Sequence, residues 1–155
     1  MKLFIATTRF NNETWDQNEK WRRENGWEGC VYGTPLEIKE DIYKGALVVI
    51  LEMNNDINKI MGLGLVRNRV TNDKHRIYKW GNYNRYTYKS EYRVDRDEMD
   101  EEENKIMNML DVLLFKGSRH LKRGQGITSL PTWITENKHI DFIKKLREMF
   151  IFRYK

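Results

Sequence analysis

The pattern of apolar positions predicts several short strands in the first two thirds of the chain. Residues 2–8 (KLFIATT), 46–52 (ALVVILE) and 60–67 (IMGLGLVR) are apolar and β-branched, as in buried strands. The polar MNNDINK between the last two predicts a hairpin turn. Residues 86–94 alternate with period two, which predicts a strand with one solvated face.

Three helices are predicted around these strands. A polar helix over residues 13–24 follows the Asn11-Asn12 cap and ends at Asn25-Gly26. Within it Trp15 and Trp21 lie about 240° apart around the axis, so we expect them to differ in burial. Gly117 ends an amphipathic helix whose apolar residues follow i, i+3, i+4, i+7, i+8 spacing: Ile106, Met109, Leu110, Leu113 and Leu114. A further helix is predicted over residues 135–149.

These elements predict an α+β fold, and the 155 residues suit one domain, residues 1–155.

Two segments of the chain are rich in cations and contain no acid. The net charge is +5, and the acids crowd into residues 91–103. Residues 74–90 (KHRIYKWGNYNRYTYKS) hold half of the tyrosines, one tryptophan and five Lys or Arg residues. Rings among cations suit a polyanion whose bases stack while its phosphates are neutralised, although a β-hairpin with aromatics turned inward explains the same pattern.

The second such segment is a glycine-containing loop, residues 115–131 (FKGSRHLKRGQGITSLP). Four cations fall within eight residues, at Lys116, Arg119, Lys122 and Arg123. Like charges this close repel one another unless an anion lies among them, and loop N–H groups can help to hold phosphate oxygens. We therefore expect these four, together with Arg85 of the first segment, to contact a nucleic-acid backbone. A solvated connection between two helices is the alternative.

The remaining motifs predict no cofactor and no metal. Gly62 and Gly64 lack the third glycine of a dinucleotide site and lie in a strand. The three histidines and the single cysteine, Cys30, have no zinc spacing. Glu37-Ile38-Lys39 and Asp95-Arg96-Asp97 could seed a metal-dependent nuclease, but such triplets are common in a highly charged chain. The lone cysteine and the absence of long apolar runs predict an intracellular protein of a reducing compartment, the cytoplasm or nucleus, without membrane insertion.

The order of the segments resembles the YTH and EVE domains of the PUA-like superfamily. The resemblance rests on the first strand and helix, on Trp27, on the glycine-containing strand at residues 59–66, on Trp80, and on the Tyr92-Arg93-Val94 strand. The basic loop at residues 118–125 is similar to the basic segment near the end of YTH domains. The resemblance covers most of the chain, but it is one of segment order and spacing, with few identical residues.

This resemblance implies both a fold and a function. The fold would be a curved, mostly antiparallel sheet or partly open β-barrel flanked by about three helices. The function would be non-catalytic reading of a flipped or single-stranded base, methylated in some family members, in RNA or DNA. Carried over by position, Trp27 and Trp80 would sandwich the base, while Thr7 and Asn12 would read its edge. A protein-interaction module with exposed aromatic hot spots is the rival expectation.

Overall fold

A mixed five-stranded sheet forms the centre of the fold in a computed structural model that describes residues 2–154. The strands are β1 (Leu3–Phe10), β2 (Cys30–Thr34), β3 (Leu47–Asn54), β4 (Lys59–Arg67), β5 (Tyr86–Ser90), β6 (Tyr92–Asp95) and β7 (Thr128–Ser129). The central sheet has the order β6-β4-β3-β1-β7, and β2 pairs with β5 in a separate two-stranded ribbon. The helices are α1 (Asn12–Glu24), α2 (Glu101–Phe115), α3 (Thr132–Thr135) and α4 (Phe142–Arg153), with 3-10 turns at Gly81–Asn84 and Arg96–Glu98.

The strand pairing places one end of β1 at a junction of several segments. β1 runs parallel to β3, from Leu3 opposite Leu47 to Phe10 opposite Asn54, whereas the other pairs are antiparallel. The carboxyl ends of β1 and β3 are therefore neighbours. Because α1 starts directly after β1, its first turn lies beside the β3–β4 turn, where the backbone N–H of Asn12 donates to the Asp56 carboxylate.

The central sheet separates two apolar cores. On one face β1 and β3 pack with α2 and α4, through residues such as Leu51, Leu110 and Leu146. On the other face they pack with α1 and the β2–β5 ribbon, through residues such as Ile50 and Tyr88. Burial on both faces is why the runs at the start of the chain and at residues 46–52 are apolar throughout, as the pattern predicted.

A buried ion pair within the central sheet is joined to the ribbon by a tyrosine hydroxyl. Arg93 Nη2 lies 2.6 Å from Glu52 Oε1, and both side chains are almost fully buried. The Tyr32 hydroxyl donates to Glu52 Oε2 at 2.6 Å. Burial and the Glu52 carboxylate hold the pKa of Tyr32 well above its usual range. Each charge is buried with a partner, as a desolvated charge requires.

The structure confirms the α+β class and the first helix. Asn11 caps α1 by accepting a hydrogen bond from the Thr14 N–H, and Gly26 just beyond its end adopts a φ of 59°. Trp15 is buried and Trp21 is half-buried, so the predicted difference in burial is confirmed. Within residues 2–154 the strands form a sheet and a ribbon without a closed barrel, and four α-helices replace the expected three.

Two predicted elements have different bounds in the structure. Residues 86–94 form β5 and β6, because the chain leaves the ribbon at Ser90 and enters the central sheet at Tyr92. The helix predicted over residues 135–149 begins only at Phe142, because residues 136–141 form a turn. Asn137 accepts from the N–H of Ile140 and donates to the carbonyls of Ile134 and Ile140, and Asp141 then caps α4. These side-chain bonds compete with the helical pattern and hold a turn between α3 and α4.

Candidate functional site

A cleft of about 260 Å³ lies where the end of β1 meets the basic loop. Its walls come from the β1–α1 junction, the end of the β2 strand, the aromatic segment 74–90 and the loop 115–131. None of the described residues that line it is Asp or Glu, and Arg9 and Lys122 are its cations. The lining residues are Thr8, Arg9, Phe10, Asn11, Thr14, Gly33, Pro35, Asn55, Tyr78, Tyr83, Lys122, Gly124, Gln125 and Gly126. Both acid-free segments therefore border one cleft.

Arg9 holds the basic loop against the sheet. Its guanidinium donates to the carbonyls of Leu121 and Gly126, both at 2.9 Å, and to the Thr128 hydroxyl at 2.9 Å. A planar fork with several donors can make these bonds simultaneously. Burial lowers the pKa of Arg9 to about 10, which leaves the group protonated at neutral pH. Arg9 is thus a positioning residue for the loop.

Two glycines let the loop pass close to its neighbours. A Cβ atom at Gly124 would lie 2.7 Å from Cζ of Arg9. Gly126 has a φ of 70°, and a Cβ atom there would lie 2.7 Å from the Thr34 hydroxyl oxygen. The glycines therefore let the loop backbone lie directly against β1 and β2, which brings Lys122 and Gln125 to the edge of the cleft.

Tyrosines from the aromatic segment form another wall. Tyr78 is buried and its hydroxyl accepts a hydrogen bond from Asn18 Nδ2 at 2.9 Å. Burial raises the pKa of Tyr78 above its usual range, so its hydroxyl stays protonated. The Tyr83 ring packs edge-on against Tyr78 with centroids 6.3 Å apart, yet Tyr83 is 43% exposed. Tyr83 thus offers a supported aromatic ring to a ligand in the cleft.

The first turn of α1 contributes polar side chains but no free anion site. The N–H of Thr14 is taken by Asn11, and the N–H of Asn12 is taken by Asp56. Asp56 also brings a negative charge to this end of the helix. An incoming phosphate would therefore be favoured at Lys122 and the loop rather than at the helix terminus.

Thr7 and Asn12, the two residues expected to read a base edge, do not line the cleft. Thr7 is fully buried, and its hydroxyl accepts from Arg9 and bonds to Thr128. Asn12 is exposed and does not line the cleft, and its side-chain Oδ1 accepts a hydrogen bond from Asn54 Nδ2. The neighbours Thr8 and Asn11 line the cleft instead.

Trp27 lies outside the cleft. Its indole N–H donates to the carbonyl of Cys30 at 3.1 Å, and the ammonium of Lys89 lies 4.8 Å from the ring centroid. These contacts place Trp27 at the end of the ribbon where Cys30 pairs with Ser90.

Trp80 lies toward the other end of the same ribbon. It is 70% exposed and precedes the 3-10 turn Gly81–Asn84, whose Tyr83 carbonyl packs against Gly33. The strand pair from Cys30 to Thr34 spans about 13 Å at roughly 3.3 Å per residue. Trp27 and Trp80 thus have contacts toward different ends of the ribbon, and the sandwich of one base between them stays a prediction.

The five cations expected to contact phosphates are divided among several surfaces. Lys122 lines the cleft, and Arg123 is exposed next to it in the loop. Arg119 instead lies over the ring of Trp133 at 5.2 Å, and Lys116 is the exposed C-cap of α2. Arg85 lies over Tyr86 at 5.3 Å on the ribbon. Only Lys122 of the five therefore borders the cleft.

A second depression, of about 610 Å³, lies between α2 and β4. Its buried Arg96 donates to the carbonyl of Ile60 and to the side chains of Asn104, Asn108 and Asp111. Because these polar groups satisfy one another, we interpret them as the attachment of α2 to the sheet.

A cluster of metal-ligating side chains and a membrane-spanning helix are both absent from residues 2–154. No group of three or more His, Cys, Asp or Glu side chains is arranged to hold a metal ion there. Glu37 pairs with Lys44, and Asp95 pairs with Arg93 and caps a 3-10 turn. No helix in this part of the chain is long and apolar enough to cross a membrane.

Comparisons with known proteins add no relative. No family model, no curated protein and no solved structure matches the chain. The cleft is therefore interpreted from its own residues.

Sequence reasoning missed Arg9 and Tyr83 as individual site residues. The signal for Arg9 was a single cation within an otherwise apolar strand that ends at a helix cap. A buried arginine needs acceptors, and the loop carbonyls supply them. Tyr83 lay within the aromatic segment, but the pattern did not distinguish it from the buried tyrosines Tyr78 and Tyr88.

Proposed function

We propose that the protein binds nucleic acid without catalysis and accommodates one unpaired or flipped nucleotide in the cleft. The observation that carries the proposal is that the two acid-free segments, separated along the chain, both line the same cleft. One segment supplies an exposed aromatic ring and the other supplies cations and loop backbone, which is the combination used for single-stranded nucleic acid.

Each part of a nucleotide has a suitable neighbour in the cleft. The base stacks on Tyr83, which is partly exposed and held by Tyr78. Its polar edge meets Asn11, Thr14 and Gln125, which offer both donors and acceptors. The phosphate lies at Lys122, with Arg123 beside it. The volume of about 260 Å³ is slightly below the roughly 300–1,000 Å³ typical of drug-sized ligands, in keeping with a single base.

Binding of fluorescent oligonucleotides, measured by anisotropy at several salt concentrations, tests the proposal. Lys122→Ala should weaken binding and reduce the slope of log K against log salt by about one, because one phosphate contact is lost. Tyr83→Ala should cost about 1–3 kcal/mol of affinity without changing the slope, because stacking is independent of salt.

Matched controls are available on the same protein. Lys116→Ala removes a cation of the same loop that does not border the cleft, and Tyr43→Ala removes an exposed tyrosine on another surface. Neither should change affinity by more than about twofold. Equal losses in the control and cleft variants would mean that binding is diffuse, and the cleft would lose its proposed role.

The resemblance to modified-base readers adds a finer proposal, a preference for a methylated base. Calorimetric titration with methylated and plain nucleosides measures this preference directly. The discriminating contact would be the Tyr83 ring, so Tyr83→Leu should lower the affinity for both nucleosides toward one common value. Equal affinities for the two nucleosides in the unchanged protein would remove the preference while leaving nucleic-acid binding intact.

A further inference from the structure

The outer face of α2 carries an exposed seam with an internal symmetry. Glu102, Lys105, Met109, Val112 and Lys116 follow one another at alternating intervals of three and four residues, as in the contact seam of a coiled coil. All five are exposed, and the Glu102 side chain is 83% exposed. Lys105 and Glu102 of the seam pair with each other at 3.1 Å, and Met109 and Val112 are exposed apolar side chains at its centre.

The charges of this seam are opposite at its two ends. Glu102 lies seven residues before Met109, and Lys116 lies seven residues after it. Asp100 and Glu101 add acids at the first end. Arg119, stacked on Trp133, adds a cation at the other end. A second copy of α2 laid antiparallel across Met109 would therefore place each acidic end against a basic end.

Apolar surface lies beside both halves of the seam. Along the second half of α2, an apolar groove of about 500 Å³ is lined by Met109, Val112, Leu113, Trp133 and Ile134 among others. Along the first half, Phe152 of α4 lies beside Ile106 and Met109 and is 79% exposed. An antiparallel arrangement brings the Phe152 side of one copy to the groove of the other.

We propose that this face binds a second copy of the same chain in a two-fold symmetric dimer centred on Met109. A two-fold interface uses the same patch on both copies, so each contact occurs twice and the patch must be complementary to itself. The α2 seam meets this requirement in its charges, its apolar centre and its groove. An unrelated partner would not require an acid and a cation at equal distances on the two sides of Met109, as Glu102 and Lys116 are.

Sedimentation velocity of the full chain over a wide concentration range tests the dimer. The unchanged protein should shift from monomer to dimer as its concentration rises. Met109→Glu places two carboxylates together at the centre and should raise the dissociation constant at least about tenfold. A sedimentation coefficient that stays at the monomer value up to the highest concentration would overturn the proposal.

Charge reversal tests the antiparallel register. Glu102→Lys alone and Lys116→Glu alone each create two like-charge pairs per dimer, and each should weaken self-association several-fold. An equimolar mixture of the two variants pairs opposite charges at both ends and should recover the dimer. If the single variants are monomeric and their mixture is too, the register is wrong.

Matched controls separate this effect from a general change in charge. Glu24→Lys and Lys20→Glu make the same charge changes in an exposed i, i+4 pair on α1. These variants should dimerise like the unchanged protein. Thermal unfolding of every variant should be similar, because exposed ion pairs contribute little to stability. Weakened association in the α1 variants would attribute dimerisation to net charge and would contradict the α2 seam.

Discussion

The guanidinium of Arg9 lies directly against Gly124, so that a Cβ atom at position 124 would be 2.7 Å from Arg9 Cζ. We expect Gly124→Ala to push the loop away from β1 and to destabilise the protein by about 1–3 kcal/mol, the usual cost of overpacking. Urea unfolding measures this change. Gly81→Ala is the control, because nothing lies within 4 Å of a Cβ atom there. A Gly124→Ala variant as stable as the Gly81→Ala variant would show that the loop gives way freely.

Arg9 should act on the loop mainly through its hydrogen bonds, which order the loop, and less through its positive charge. Arg9→Lys keeps the cation, but an ammonium cannot reproduce the planar fork that bonds Leu121 and Gly126 together. We expect faster amide hydrogen exchange over residues 121–126 and weaker oligonucleotide binding. Arg67→Lys, at an exposed arginine with one bond to the Gly45 carbonyl, is the control and should leave this exchange unchanged. Unchanged exchange in Arg9→Lys as well would remove the positioning role.

Local signals explain which elements could be predicted from the sequence. The bounds of α1 follow from an Asn cap and an Asn-Gly stop, which act within a few residues of the helix. The turn at Asn137 is also determined locally, because the Asn137 amide donates to the carbonyl of Ile134 and accepts from the N–H of Ile140. The helical spacing of apolar residues nevertheless continues through this turn. Periodicity therefore predicted a helix through residues 136–141, where the side-chain bonds hold a turn and α4 begins only at Phe142.

The candidate site depends on contacts between distant parts of the chain, and so it was only partly predictable. The sequence showed that residues 74–90 and 115–131 carry rings and cations, and both do border the cleft. It could not show that Arg9 is bonded to a loop more than 110 residues away. Nor could it show that Trp27 and Trp80 would have contacts toward different ends of the β2–β5 ribbon.

The buried Glu52–Arg93 pair should be far more sensitive than an exposed pair. Glu52→Gln leaves the buried Arg93 guanidinium with Asp95 alone, and Tyr32 loses a charged acceptor. We expect a loss of about 3–5 kcal/mol in the free energy of unfolding, because a buried charge is left undercompensated. Glu37→Gln, which breaks the exposed pair with Lys44, should change it by no more than about 0.5 kcal/mol. Equal effects in urea melts would contradict the buried character of the pair.

Alkaline pH should destabilise the protein through Cys30. Burial raises the pKa of the Cys30 thiol from its ordinary value of 9.0 to about 11. Between these values the unfolded chain has lost the thiol proton while the folded protein keeps it. The folded state therefore binds more protons, and the free energy of unfolding falls as pH rises through this window.

The contribution of Cys30 can be separated from that of the buried tyrosines. For the thiol alone we expect a loss of roughly 2 kcal/mol near pH 10.5, measured by urea unfolding from pH 7 upward. Burial also raises the pKa of Tyr32 and Tyr78, whose ordinary value is 10.0, so their contribution begins at higher pH. Cys30→Ala should accordingly delay the fall in stability by about one pH unit. If the variant and the unchanged protein lose stability in parallel from pH 9, the thiol is not the group responsible.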